Sequence, residues 1–107
     1  MKKLVRDNIP TILTKNNLIY KTKTLIDDRQ FMQALQEKLV EEMEEFIEAS
    51  NRQVDHEAKE ELADILEVID ALCKFKKYDR NEIEAYRLKK KSEKGGFDKR
   101  IFLILED

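Results

Sequence analysis

The sequence predicts a mainly all-α protein, an antiparallel helix bundle that forms one domain over residues 1 to 107. Hydrophobic residues make up 41% of the chain and charged residues another 41%, with only two glycines and one proline. Residues that tolerate helices are therefore abundant, and residues that interrupt them are rare. A length of 107 residues also suits one modest hydrophobic core rather than two.

The two ends of the chain depart from this helical pattern. A short helix is expected to start near Pro10, with Asp7 or Asn8 as its cap, and to end in the sequence KNNL. The segment LIYKTKTLI, residues 18 to 26, alternates apolar or β-branched residues with lysines, and IFLIL, residues 101 to 105, is a short apolar run. Both are plausible strands, and we expect them to pair in a small two-stranded sheet.

Two long amphipathic helices are predicted in the middle of the chain. Asp27, with Gln30 three residues later, resembles a capping box and opens a helix that runs to about Ser50. Asp55 is expected to cap the next helix, which runs from His56 to Lys76. The apolar stripes that predict their buried faces are Phe31, Met32, Leu35, Leu39, Met43, Phe46 and Ile47 on the first, and Leu62, Ile65, Leu66, Val68, Ile69, Leu72 and Cys73 on the second.

A last helix is predicted in the basic C-terminal part of the chain. Asn81, with Glu84 three residues later, can open it, and Gly95 and Gly96 end it. Its basic residues could hold phosphate groups beside the two glycines, although basic residues at a helix end also complement the helix dipole. These residues are Arg87, Lys90, Lys91 and Lys94.

The charge distribution narrows the possible functions. The net charge is −2, but residues 37 to 70 hold thirteen acidic and only three basic residues, a local balance of −10. This acidity argues against a nucleic acid polymer as partner and favours cations. Cys73 is the only cysteine, and no apolar run approaches the length of a membrane span. We therefore expect a cytoplasmic protein with no disulfide and no membrane contact.

Four carboxylates are predicted to converge between the two long helices. At about 100° per residue, Glu42 and Glu45 border the apolar stripe of the first helix, whereas Glu41 and Glu44 point further away. Glu61 and Asp64 occupy the same positions relative to the stripe of the second helix. If the helices pack through their stripes, these four side chains meet in one place, where they would repel one another strongly.

A hard divalent cation would relieve this repulsion. Oxygen ligands favour Mg²⁺, for which Mn²⁺ can substitute, over zinc, which usually takes nitrogen or sulfur ligands. The pattern alone is equally compatible with an acidic surface that is simply hydrated. Both interpretations stay open on the residues themselves.

Four segments in order resemble the MazG-like and phosphoribosyl-ATP-pyrophosphohydrolase-like family of all-α nucleoside triphosphate pyrophosphatases. They are KLVRDNIP at the start, KLVEEMEE with its E-x-x-E, EELADILEVIDAL with its E-x-x-D, and KKKSEKGGFDKRIFL at the end. The last and the first are similar to those of a small MazG-like subgroup, so the resemblance covers nearly the whole chain. It implies a helix bundle of the MazG type.

The resemblance also implies a reaction, which is hydrolysis of a nucleoside triphosphate between the α and β phosphates to give a monophosphate and pyrophosphate, in nucleotide-pool house-cleaning. The expected Mg²⁺ ligands are Glu42, Glu45, Glu61 and Asp64, and Glu41 or Glu42 is expected to accept the proton of the attacking water. Arg87, Lys91 and Lys94 are expected to hold the substrate phosphates. Lys3 and Arg6 in the opening segment either contribute to this binding or serve to fold the N-terminus, and both roles stay open. Family members assemble as dimers or tetramers, and the broad stripes also favour a homodimer or homotetramer.

Two other functions remain as alternatives. A phosphoribosyl-ATP pyrophosphatase would use the same chemistry with a pocket for a second ribose phosphate. A non-catalytic helical assembly module would carry the same acidic faces as hydrated surface. The sequence contains no base-reading motif, and it therefore gives no nucleobase preference.

Overall fold

Four α-helices make up the regular structure of residues 2–106, the part of the chain that this computed structural model describes. They are α1 (Ile9–Lys15), α2 (Asp28–Asn51), α3 (Asp55–Lys76) and α4 (Arg80–Lys94). The predicted all-helical class is therefore confirmed for these residues.

The centre of the fold is an antiparallel hairpin of α2 and α3, which pack extensively against each other. Only residues 52 to 54 separate the two helices, and a connection this short makes neighbouring helices antiparallel. The rings of Phe31 and Phe75, near the start of α2 and the end of α3, meet edge to face with centroids 5.0 Å apart. The buried apolar residues are Leu35, Ala49, Val68 and Cys73, which confirms that Cys73 belongs to the core.

The helix starts agree with the predictions in part. The Asp27 side chain accepts a hydrogen bond from the backbone N–H of Gln30, as the capping box predicted. The prediction for α3 was wrong, because Asp55 is already its first helical residue and Val54 is the N-cap. Val54 also donates its N–H to the carbonyl of Ala49, so this residue is bonded to the last turn of α2 and directly precedes the first residue of α3.

The predicted start of α4 was wrong in the same way. Asp79 is the N-cap, and its side chain accepts a hydrogen bond from the backbone N–H of Asn81. Both Asp79 and Asn81 are good capping residues, and the sequence pattern alone did not distinguish them. The predicted end of α4 is correct, since the helix stops at Lys94 and Gly95 follows with a φ of 84°.

The predicted two-stranded sheet was wrong, because residues 2–106 contain no strand. Residues 18 to 26 and 101 to 105 run without regular structure, and no backbone hydrogen bond joins them. Ile19 and Phe102 are almost fully exposed, at 102% and 89%. Alternation of apolar and polar residues describes a segment that can form a strand, but it does not provide the second backbone that a strand needs. A lone two-stranded ribbon is also marginal in water.

Outside the hairpin, the helices pack little. Helices α1 and α4 contain no buried residue. Part of each apolar stripe on the hairpin is also exposed, including Met43, Ile47, Leu62 and Leu66. Within the described residues, no helix has the length and apolar character needed to cross a bilayer. The hairpin of α2 and α3 therefore contains the packed core of the described residues, and the predicted site lies on it.

Candidate metal centre

Carboxylates from α2 and α3 converge on Glu42. Ligand oxygens of Glu42, Glu61 and Asp64 all lie within 4.8 Å of one another, and so do those of Glu41, Glu42 and Glu45. These two groups share Glu42, and between them they contain the four carboxylates that the helical spacing predicted, together with Glu41. We call these five residues, Glu41, Glu42, Glu45, Glu61 and Asp64, the acidic cluster.

The burial of the cluster follows from its position beside the apolar stripes. Glu42 is only 5% exposed and is the one charged residue among residues 2–106 that the structure buries. Glu45, Glu61 and Asp64 are half-buried, whereas Glu44 on the outer face of α2 is exposed. Antiparallel packing places the Glu42–Glu45 turn of α2 opposite the Glu61–Asp64 turn of α3, because both turns lie equally far from the connection of residues 52 to 54.

Glu41 lies closer to the cluster than the helical wheel predicted. It is half-buried rather than directed into solvent. Its two carboxylate oxygens contact different lysines, Oε1 at 3.5 Å from Lys3 Nζ and Oε2 at 3.2 Å from Lys38 Nζ. The wheel gives only the direction of the Cα–Cβ bond, and these two ion pairs determine where the flexible side chain ends.

Lys38 is a cluster neighbour that was not predicted from the sequence. Its Nζ lies 3.2 Å from Glu41 Oε2 and 3.2 Å from Glu42 Oε1, and its side chain is only 15% exposed. The signal was present in the sequence, because Lys38 precedes Glu41 by three residues and Glu42 by four, the spacings at which helical side chains meet. Lys38 therefore fixes one edge of the cluster.

Two carboxylate oxygens in the cluster have no hydrogen-bond partner. They are Glu42 Oε2 and Glu61 Oε2, and both are buried. Buried polar atoms without partners are uncommon in proteins and frequently indicate a ligand or a functional strain. Glu61 can donate a hydrogen bond to Glu42 only in its protonated form, because an ionised carboxylate has no donor.

The pKa values show how strongly these carboxylates interact. The pKa of Glu61 is raised from 4.5 to about 8, first by the neighbouring Glu42, which stabilises the protonated form, and then by burial and by Glu45. Burial also raises the pKa of Glu45. Burial acts to raise the pKa of Glu42 too, but contacts with Glu61 and Lys38 outweigh it and lower this pKa. Without a metal ion, Glu61 therefore keeps a proton near neutral pH.

Comparison with protein families now identifies the relatives of this chain. Residues 30–94 match the model of the MazG nucleotide pyrophosphohydrolase domain. The chain belongs to the MazG family. The match spans more than half of the chain, from the first turn of α2 to the last residue of α4, and it confirms the predicted resemblance. Comparison with curated proteins and with solved structures gave no significant match.

The matched MazG region contains the whole acidic cluster, and the cluster fits a divalent cation. It offers oxygen ligands alone, two of them are buried without a partner, and the neighbouring Glu42, together with burial and Glu45, favours the protonated form of Glu61. A cation would replace that proton. Hard oxygen donors are typical of Mg²⁺ and Mn²⁺ sites, in contrast to the nitrogen and sulfur donors of zinc sites.

The MazG region also includes α4, where phosphate-binding residues were predicted. The structure does not bring these residues to the cluster, because no ion pair within the described residues links α4 to it. Arg87 instead pairs with Glu84 on its own helix at 2.5 Å, and Lys91 and Lys94 are exposed. Their role in phosphate binding stays a prediction. By contrast, Arg6, which lies before the matched region, reaches Asp64.

Proposed function

We propose that this protein is a Mg²⁺-dependent nucleoside triphosphate pyrophosphohydrolase, which cleaves between the α and β phosphates and releases a nucleoside monophosphate and pyrophosphate. Membership of the MazG family supports a nucleotide pyrophosphohydrolase. The observation that carries the more specific proposal is the convergence of Glu42, Glu61 and Asp64 within 4.8 Å around a buried oxygen that has no partner.

Glu42, Glu45, Glu61 and Asp64 would hold the ion, or Mn²⁺ in its place. Two come from each helix of the hairpin, so the packing of α2 on α3 defines the spacing of the ligands. When bound, Mg²⁺ offsets the charge of the phosphates and lowers the pKa of a water molecule. With an ion bound, Glu61 would be held in its ionised form, in place of the proton that the contact with Glu42 and burial now favour.

Among the protein groups, Glu41 and Glu42 are the candidates to accept the proton of the attacking water. Glu42 is buried and held by Lys38, which suits a residue that stays ionised and orients other groups. Glu41 is half-buried at the edge of the cluster, where a proton can pass on to solvent. We therefore assign proton acceptance to Glu41 and orientation of the water to Glu42. The water oxygen forms a bond to phosphorus while the anhydride P–O bond breaks, and the leaving phosphate oxygen takes the electron pair.

Arg87, Lys91 and Lys94 would contact the outer phosphates. Because they are exposed and α4 packs little on the hairpin, this contact requires the substrate, or another subunit, to connect α4 with the cluster. The proposal includes a homodimer or homotetramer for this reason. The exposed parts of the stripes, such as Leu62 and Leu66, support association without defining its geometry.

Product analysis with a panel of nucleotides and Mg²⁺ tests the proposal. Monophosphate and pyrophosphate in equal amounts are expected, whereas diphosphate and orthophosphate would contradict cleavage between the α and β phosphates. Turnover confined to phosphoribosyl-ATP would indicate the alternative pyrophosphatase, and no turnover at all would favour a non-catalytic module. Glu61→Gln should abolish turnover, and Glu67→Gln, on the exposed face of α3, should retain it.

A further inference from the structure

The segment before α1 places two cations on the acidic cluster. Arg6 Nη2 lies 2.5 Å from Asp64 Oδ1, and Lys3 Nζ lies 3.5 Å from Glu41 Oε1. Both residues precede the region that matches the MazG domain, which begins at residue 30. The N-terminal segment therefore completes a site whose other residues come from the α2–α3 hairpin.

The fold holds Arg6 at this place through its backbone. The carbonyl oxygen of Arg6 accepts a hydrogen bond from the N–H of Ile9, the first residue of α1, at 3.0 Å. The side chain is more than half exposed, at 55%, and is therefore accessible to a ligand. Its guanidinium has five N–H donors in a planar fork, and the contact with Asp64 uses one nitrogen. Several donors thus remain for a second anion.

Arg6 and the proposed ion would compete for the carboxylate of Asp64. Asp64 pairs with Arg6, and together with Glu61 it converges with Glu42 at the proposed ion site. A divalent cation attracts a carboxylate more strongly than an exposed guanidinium does, since an exposed ion pair contributes at most about 1 kcal/mol. Ion binding would therefore weaken the pair and release Arg6 beside the site.

We propose that Arg6 is a phosphate-binding residue of the substrate site, which pairs with Asp64 when no ion is bound and with phosphate oxygens of the nucleotide when the magnesium nucleotide is bound. This inference rests on the proposed function. A guanidinium fits the purpose because its fork can make two parallel hydrogen bonds to one phosphate.

Other cations near the cluster suit this role less well. Lys38 is only 15% exposed and is held by two carboxylates, so it cannot move to a ligand without leaving the buried Glu42 without its cation. Arg87 is paired on α4, away from the cluster. Arg80 offers a matched control, because it also pairs with an aspartate of α3, Asp70, but outside the acidic cluster.

Calorimetry with two probes tests the inference on the full-length wild type, Arg6→Gln and Arg80→Gln. The first probe is Mg²⁺ alone, and the second is α,β-methylene ATP with Mg²⁺, in which the bond to be cleaved is replaced by a stable one. Arg6→Gln should bind Mg²⁺ about two- to five-fold more tightly, because a competitor for Asp64 is gone. Its affinity for the nucleotide analogue should be lower than that of the wild type by about ten-fold or more, because a charge-assisted contact is lost. Arg80→Gln should change neither.

The opposite directions of these two effects separate ligand binding from a structural role. If Arg6→Gln weakens both probes, or leaves analogue binding unchanged, the inference is wrong. Should Arg6→Gln fail to fold, Arg6→Lys carries the test: it keeps the charge but not the fork, and unchanged analogue affinity would overturn the inference. Wild-type protein that binds the analogue but hydrolyses no nucleotide would refute the proposed function alone.

Discussion

Neutralising Glu61 should stabilise the protein in the absence of metal. The buried Oε2 of Glu61 has no partner, and its pKa is raised from 4.5 to about 8. Folding at pH 7 therefore requires uptake of a proton by this side chain. In Glu61→Gln an amide that is always neutral replaces the carboxyl, and the variant avoids this cost.

The size of the effect follows from the interval between the ordinary pKa of 4.5 and pH 7. At 1.36 kcal/mol per pH unit, this interval corresponds to about 3 kcal/mol as an upper bound. Solvent screening at a half-buried site reduces the gain, and we expect about 1 kcal/mol. For a domain of this size, that gain raises the melting temperature by about 5 °C.

The dependence on pH gives a second check with a defined sign. Because the pKa of Glu61 is higher in the folded than in the unfolded chain, its contribution to stability is complete below about pH 4.5 and is lost as the pH rises to about 8. The difference in melting temperature between Glu61→Gln and wild type should therefore be small at pH 5 and should grow up to pH 8. Thermal melting in chelator, followed by circular dichroism, measures it.

Magnesium should reverse the order of stability. A hundredfold excess of Mg²⁺ over its dissociation constant adds about 2.7 kcal/mol to the wild type by mass action, and Glu61→Gln should lose most of that gain. Glu44→Gln and Glu67→Gln remove the same charge from exposed positions and should behave like the wild type. If Glu61→Gln and Glu67→Gln melt alike with and without Mg²⁺, the explanation by converging carboxylates is refuted.

Three further predictions concern the surroundings of the cluster. Replacing Lys38 by Met should lower the free energy of unfolding in chelator by about 2 kcal/mol, because the buried Glu42 loses its cation. Urea unfolding measures this change, and an unchanged midpoint would contradict the role of Lys38. The double variant with Lys91→Gln and Lys94→Gln should have a KM for the nucleotide about ten-fold higher than the wild type, at an unchanged melting temperature. Steady-state kinetics measures the KM, and an unaltered value would exclude these lysines from phosphate binding. Light scattering at micromolar concentration should show a dimer or tetramer. Leu66→Lys places a charge on an exposed part of the α3 stripe and should shift the protein towards monomer. A monomeric wild type would contradict this prediction.

The sequence by itself predicted the helical class and four of the five residues of the acidic cluster. Periodicity identified both long helices, and a rotation of about 100° per residue placed Glu42 and Glu61 at the edges of the buried stripes. These features are local, because helix geometry relates residues three or four apart without any knowledge of the fold. The Asp27 cap and the end of α4 at Gly95 were predictable for the same reason.

Only the tertiary structure decided which groups meet across distant parts of the chain. It paired Arg6 with Asp64, which lies 58 residues further on, and it moved Glu41 into the cluster through Lys3 and Lys38. It also left residues 18 to 26 and 101 to 105 unpaired, although both have the composition of strands. Side-chain periodicity is a property of one segment, whereas an ion pair or a sheet requires a partner whose position depends on the packing of the whole chain.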